Sequence, residues 1–161
     1  MTAAHGVTAT IDAVTITGGA GSFDAGGIEN LGTLTLTNST VSGNSAHLGG
    51  GISNAGMLTL KDSTVSGNTA IEFGGGIFNG NSGTVTLKES AVSGNTAFER
   101  GGGISNAGML TLKDSTVSGN LAGAIGGGID NGGEGTVTLK DSTVTQGGEG
   151  ERDQTQTHGA T

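Results

Sequence analysis

Four carboxylates recur at matched points along this chain. Asp62, Glu89, Asp114 and Asp141 each directly follow a lysine, Lys61, Lys88, Lys113 and Lys140. A row of oxygen ligands is the donor set that calcium takes. Paired carboxylates can also share out acid and base roles, but only where their surroundings differ. Here the surroundings repeat, so the row reads as a solvated stripe of alternating charge. No catalytic residue, metal site or cofactor is assigned. His5, His47 and His158 are scattered, without the spacing of a ligand set or a triad. "GGEGERD" at 147 to 153 approximates a glycine-rich calcium motif but sets its aspartate one place late. "NST" at 38 to 40 matches a glycosylation sequon by chance.

A second chemistry lies in the hydroxyls. Thr10, Thr35, Thr59, Thr86, Thr111 and Thr138 fall at equivalent positions, and Thr8, Thr33, Thr84 and Thr136 give T-x-T in four of the six segments. On a strand, alternate residues share a face about 7 Å apart, and neighbouring strands lie about 4.8 Å apart. Such threonines would form a regular array of hydroxyls and methyls, resembling the faces of ice-binding β-helices. Met57 and Met109 interrupt the second file, and Thr is also a common exposed strand residue.

These positions repeat because the chain repeats. "GGGISNAGMLTLKDSTVSGN" at 49 to 68 returns unchanged at 101 to 120, and six alternating segments begin at residues 8, 33, 57, 84, 109 and 136, at steps of 24 to 27. A catalytic site is assembled once from differently placed groups, so repetition of this kind serves shape. Alternation with period two predicts strands with one buried face. Each unit offers about three short strands joined by Gly, Asn and Ser turns, which suits one turn of a solenoid. The expected fold is an all-β, parallel β-helix of about six coils, three short strands per coil. Residues 1–7 are a lead-in, 8–145 the repeats and 146–161 a polar tail expected to be disordered.

Three apolar columns would form the core. One holds Ile11, Leu36, Leu60, Leu87, Leu112 and Leu139. The second holds Ile16, Val41, Val65, Val92, Val117 and Val144, and the third Ile28, Ile52, Ile77, Ile104 and Ile129. Asn30, Asn54, Asn79, Asn106 and Asn131 follow the last column at a constant offset. They either bond amide to amide between coils or occupy left-handed turns. Phe73 and Phe98 are expected to cover the turns before "GGGI".

Composition fits a narrow core: of 161 residues 32% are hydrophobic, 35 are Gly, four are Phe, and there is no Trp, Tyr or Cys. Without Cys, disulfides and thiol chemistry are excluded. Without Trp or Tyr, a sugar groove lacks its usual aromatic platforms. A formal charge of −8 argues against nucleic acid as a partner. No apolar run reaches membrane-span length, so no membrane insertion is expected. The opening "MTAAHGVTATID" lacks the basic-then-apolar layout of a secretory signal.

"GGGI" at 49, 74, 101 and 126, alternating with "VSGN" at 41, 65, 92 and 117, resembles the GGA[ILV] and FxxN tetrapeptides of the polymorphic outer-membrane protein repeat family. The resemblance covers residues 26 to 145. It implies a right-handed β-helix and display at the bacterial surface, as in passenger stalks and adhesins. The lead-in is too short for a capping helix and the tail lacks a large apolar residue, so the coil ends are expected to be bare. The functional expectation is a non-enzymatic structural protein, extracellular or at the cell surface, that stacks head to tail on itself as a fibre. The alternatives are a segment of an adhesin stalk, an ice-binding protein using the threonine face and, more remotely, a polysaccharide-degrading β-helix enzyme.

Overall fold

A computed structural model describes residues 1–145 and Gly147, so the tail expected from 146, with its "GGEGERD" motif, otherwise lies outside the described residues. The chain winds through six coils, and every strand pair is parallel. Three six-stranded sheets run the length of the rod. The first contains Thr2–Ala3, Ile28–Asn30, Ile52–Asn54, Ile77–Asn79, Ile104–Asn106 and Ile129–Asn131. The second contains Thr8–Asp12, Thr33–Thr37, Met57–Lys61, Thr84–Lys88, Met109–Lys113 and Thr136–Lys140. The third contains Thr15–Thr17, Thr40–Ser42, Thr64–Ser66, Ala91–Ser93, Thr116–Ser118 and Thr143–Val144.

Three strands per coil are thus present throughout, and four coils add one more. Ser45–Leu48, Thr69–Phe73, Thr96–Ala97 and Leu121–Ala122 form a four-stranded fourth sheet. The feature it repeats in every strand is a small inward residue, Ala46, Ala70, Ala97 or Ala122, while its outward residues mostly differ from coil to coil. A reading based on recurring apolar alternation therefore passes over it.

Register accounts for the core. Leu36 pairs with Leu60, Leu60 with Leu87, Leu87 with Leu112 and Leu112 with Leu139, so one residue type stacks on itself. Ile28, Ile52, Ile77 and Ile104 are fully buried, as are the leucines of the inner coils and the valines Val65, Val92 and Val117. A further inward file, Leu34, Leu58, Val85 and Leu110, lines the same interior. At the two ends Ile11, Ile16, Ile129, Leu139 and Val144 are partly buried against this cluster. Each apolar side chain thus has like neighbours above and below, which gives a chain of low apolar content one continuous core.

Candidate functional site

Two kinds of feature repeat on this frame, polar ladders inside the corners and side-chain files on the outside. In the first ladder the Asn30 amide donates to the Asn54 Oδ1 at 2.7 Å, Asn54 to Asn79 at 2.8 Å, Asn79 to Asn106 at 2.7 Å and Asn106 to Asn131 at 2.7 Å. These asparagines end strands and lie outside the left-handed region, so amide stacking, and not turn geometry, explains their recurrence. Each inner amide also donates to a backbone carbonyl, as Asn54 does to Gly56 at 3.0 Å.

A second ladder lies within the "VSGN" segments. The Asn44 amide donates to Asn68 at 3.0 Å, Asn68 to Asn95 at 2.9 Å and Asn95 to Asn120 at 2.9 Å. The same acceptors take backbone N–H groups of the preceding coil, from Asn44, Asn68 and Asn95, each at 3.0 Å. Sequence reasoning took this Asn only as part of a tetrapeptide. Its signal was a polar residue at fixed offset from a buried valine, the same signal that marked the first ladder. Among the described residues no buried side-chain nitrogen or oxygen lacks a partner.

The carboxylate row has a structural origin. Asn38, Asp62, Glu89, Asp114 and Asp141 all have φ of 49°, and Ala13 takes their place in the first coil at 54°. Asn and Asp tolerate this left-handed geometry better than most residues. The serine after each one locks the corner. Ser63 Oγ donates to the Lys61 carbonyl at 2.7 Å and accepts the Ser39 N–H at 3.1 Å, and Ser90 and Ser115 repeat the pattern. Asp62, Glu89 and Asp114 flank a recess of about 520 Å³ with Ser63, Ser90, Thr64, Ala91 and Thr116. Lys61 and Lys113 lie 3.5 and 3.6 Å from Asp62 and Asp114, exposed pairs that contribute little. Among the described residues no cluster of three or more His, Asp or Glu side chains is arranged to hold a metal ion.

Outside the second sheet, Thr10, Thr35, Thr59, Thr86, Thr111 and Thr138 stack in one unbroken file by strand register. Beside it Thr8, Thr33, Thr84 and Thr136 alternate with Met57 and Met109, which are 59% and 58% exposed and stand proud of the array. Thr37, Lys61, Lys88, Lys113 and Lys140 form the third outward file. Of the two phenylalanines expected to cover turns, Phe98 departs from expectation. Phe98 is 64% exposed and covers no turn, because the chain at this point faces outward from the short fourth sheet. Phe73 is half-buried and stacks on Phe78 with ring centroids 6.4 Å apart.

A model of the right-handed β-helix region matches residues 2–156. The chain belongs to this right-handed β-helix family. The match covers all six coils and supplies the hand of the winding. No curated protein and no solved structure matches the chain. Among the described residues of this right-handed β-helix, no helix is long and apolar enough to cross a membrane.

Proposed function

We propose that this right-handed β-helix is a non-enzymatic structural rod that extends by stacking its coils end to end with those of a second copy, outside the cell or at its surface. The observation that carries this reading is the state of the two terminal coils. Ala9, Ile11 and Ile16 at one end, and Ile129, Val137, Leu139 and Val144 at the other, continue the interior columns yet are only partly buried. Among the described residues, the outer edges of Thr8–Asp12 and Thr136–Lys140 are unpaired. Parallel edges of this kind recruit further strands.

The polarity of the asparagine ladder sets the direction of stacking. Each amide donates toward the next coil, and Asn131, at the end of the row, turns to the Gly135 carbonyl at 2.8 Å. A second copy placed head to tail keeps that direction and leaves the contact open to growth. The position that would receive Asn131 is held in the first coil by Ala3, which pairs with Asn30. Ala3→Asn supplies the missing acceptor and should lengthen the filaments, whereas Ile11→Lys should abolish them. Negative-stain microscopy across a concentration series is the test. Dispersed particles at the highest concentration, with both variants unchanged, would sink the reading.

The alternation of "GGGI" and "VSGN" favours a related reading, in which the same coils continue into a longer surface stalk of an adhesin. The unbroken Thr10 to Thr138 file favours an ice-binding face, which the protruding Met57 and Met109 make less regular. An ice-recrystallisation assay on wild type and Thr86→Lys separates that reading from the structural one. The carboxylate corner lends an enzyme no support, since turn geometry accounts for its acids.

A further inference from the structure

All four phenylalanines of the chain gather on or beside the fourth sheet, on the side of the rod away from the threonine files. Ala46, Ala70 and Ala97 pair in register with their side chains inward, and the residues that follow them, His47, Ile71 and Phe98, face outward in successive coils, although the register shifts after Ala70 and brings Glu72 within 3.8 Å of His47. Phe23 joins them from the first coil. Its carbonyl accepts the Leu48 N–H at 3.0 Å, and its ring stacks on His47 with centroids 5.9 Å apart. Phe23, Ile71 and Phe98 are 66%, 47% and 64% exposed, an apolar stripe left open among the described residues.

The order along the rod is ring, imidazole, aliphatic, ring, at one residue per coil. Glu72 and Glu99 border it along its length, and two charges of opposite sign mark its ends. Asp24 follows Phe23 in the first coil, and Arg100 lies in the fourth coil in the same column, through the Leu48, Phe73 and Arg100 register. A two-fold axis along the strand direction, passing between His47 and Ile71, reverses one rod against another. It sets Phe23 against the partner's Phe98, and Asp24 against the partner's Arg100, once at each end of the patch. No other simple face-to-face arrangement does both. A two-fold axis along the rod sets Phe98 on its own copy and Arg100 near Arg100.

We infer that this stripe is a side-to-side docking surface for a second copy of the chain, with the two rods antiparallel. Aromatic anchors within a charged rim are the usual anatomy of such contacts. The four coils involved span roughly 14 Å, so the contact is a reversible dimer and not an obligate one. It is separate from end-to-end stacking. Side pairing is isologous and stops at two, whereas end stacking grows without limit.

Sedimentation of the full chain should resolve a monomer–dimer equilibrium. Phe98→Ser and Asp24→Lys should each raise the dimer Kd by at least about tenfold with circular dichroism unchanged. The chain has no cysteine, so orientation can be read by cross-linking exposed sites beside the anchors. Ser22→Cys combined with Glu99→Cys should give covalent dimers with a short bis-maleimide, and either single variant should give few. Three results would overturn the inference. These are a monomer at every concentration, a Glu99→Cys single variant that cross-links as well as the double, and a monomer that sediments with phosphatidylcholine vesicles through Phe98. None depends on whether filaments form.

Discussion

Removing one amide from the middle of a ladder leaves the neighbours on both sides one partner short. Asn79 accepts from Asn54 and donates to Asn106 and to the Met109 carbonyl, all inside the corner. Asn79→Ala should therefore cost about 3 kcal/mol, since each buried polar group left unmade costs about 1–3 kcal/mol. Asn131→Ala, at the exposed end of the row, should cost less than about 1 kcal/mol. Urea unfolding of the two variants measures the difference, and equal losses would mean that the ladder adds nothing beyond shape. Asp130 makes a second case at this scale. Partial burial raises its pKa above the ordinary 3.8, and the charge of Arg100 offsets part of that rise. The carboxylate is thus harder to ionise folded than unfolded. Its contribution is intact below the unfolded value and is lost as pH climbs through the raised folded value. Asp130→Asn should gain stability relative to wild type between acid and neutral pH, and the two proteins should converge below the unfolded pKa. A difference that does not vary with pH would refute this.

At the scale of the coil, glycines divide into two kinds that the sequence prints alike. Gly76 lies where a Cβ would meet the Gly103 carbonyl oxygen at 2.7 Å and the Asn95 amide at 3.0 Å, so backbone from the next coil would have to move. Gly67 has φ of 62° with open space around it. Gly76→Ala should disrupt the coil, visible as loss of the cooperative transition. Gly67→Ala should cost only the left-handed penalty, about 1–2 kcal/mol. Thermal scans of both variants settle the contrast. The same distinction explains what was legible beforehand. Leu36, Leu60 and Leu87 announced their column because burial and period coincide in the letters. The corner acids did not announce their reason, since a left-handed φ leaves no periodic mark and Asp62 looks like any solvated carboxylate. The fourth sheet was hidden because only its alanines recur in every strand, and Ala is common on either side of a strand. Phe98 misled because an aromatic residue is ordinarily expected to cover something, whereas this one faces out.

Across the whole molecule, near-identical coils make stability a sum over coils and the joints between them. The duplicated segment offers a clean way to test that. Residues 49–68 and 101–120 are the same twenty, so deleting 69–120 joins Asn68 to Leu121 in place of Asn120 and leaves every column in register. The Asn44 to Asn68 bond remains, and Asn68 takes over the surroundings of Asn120 against the following coil. Four coils should fold where six did, because among the described residues every paired strand lies against a strand of an adjacent coil. The urea m-value should fall by about a third, in proportion to the surface no longer exposed on unfolding. The transition midpoint should fall as well, because the two half-covered end coils become half of a shorter rod and fully buried joints are lost. A shortened chain that unfolds at the same midpoint would mean that the coils stand independently. One that fails to fold would mean that the deleted coils nucleate the rest, with Ile77 and Ile104 at the centre of the core supplying contacts that the outer coils cannot replace.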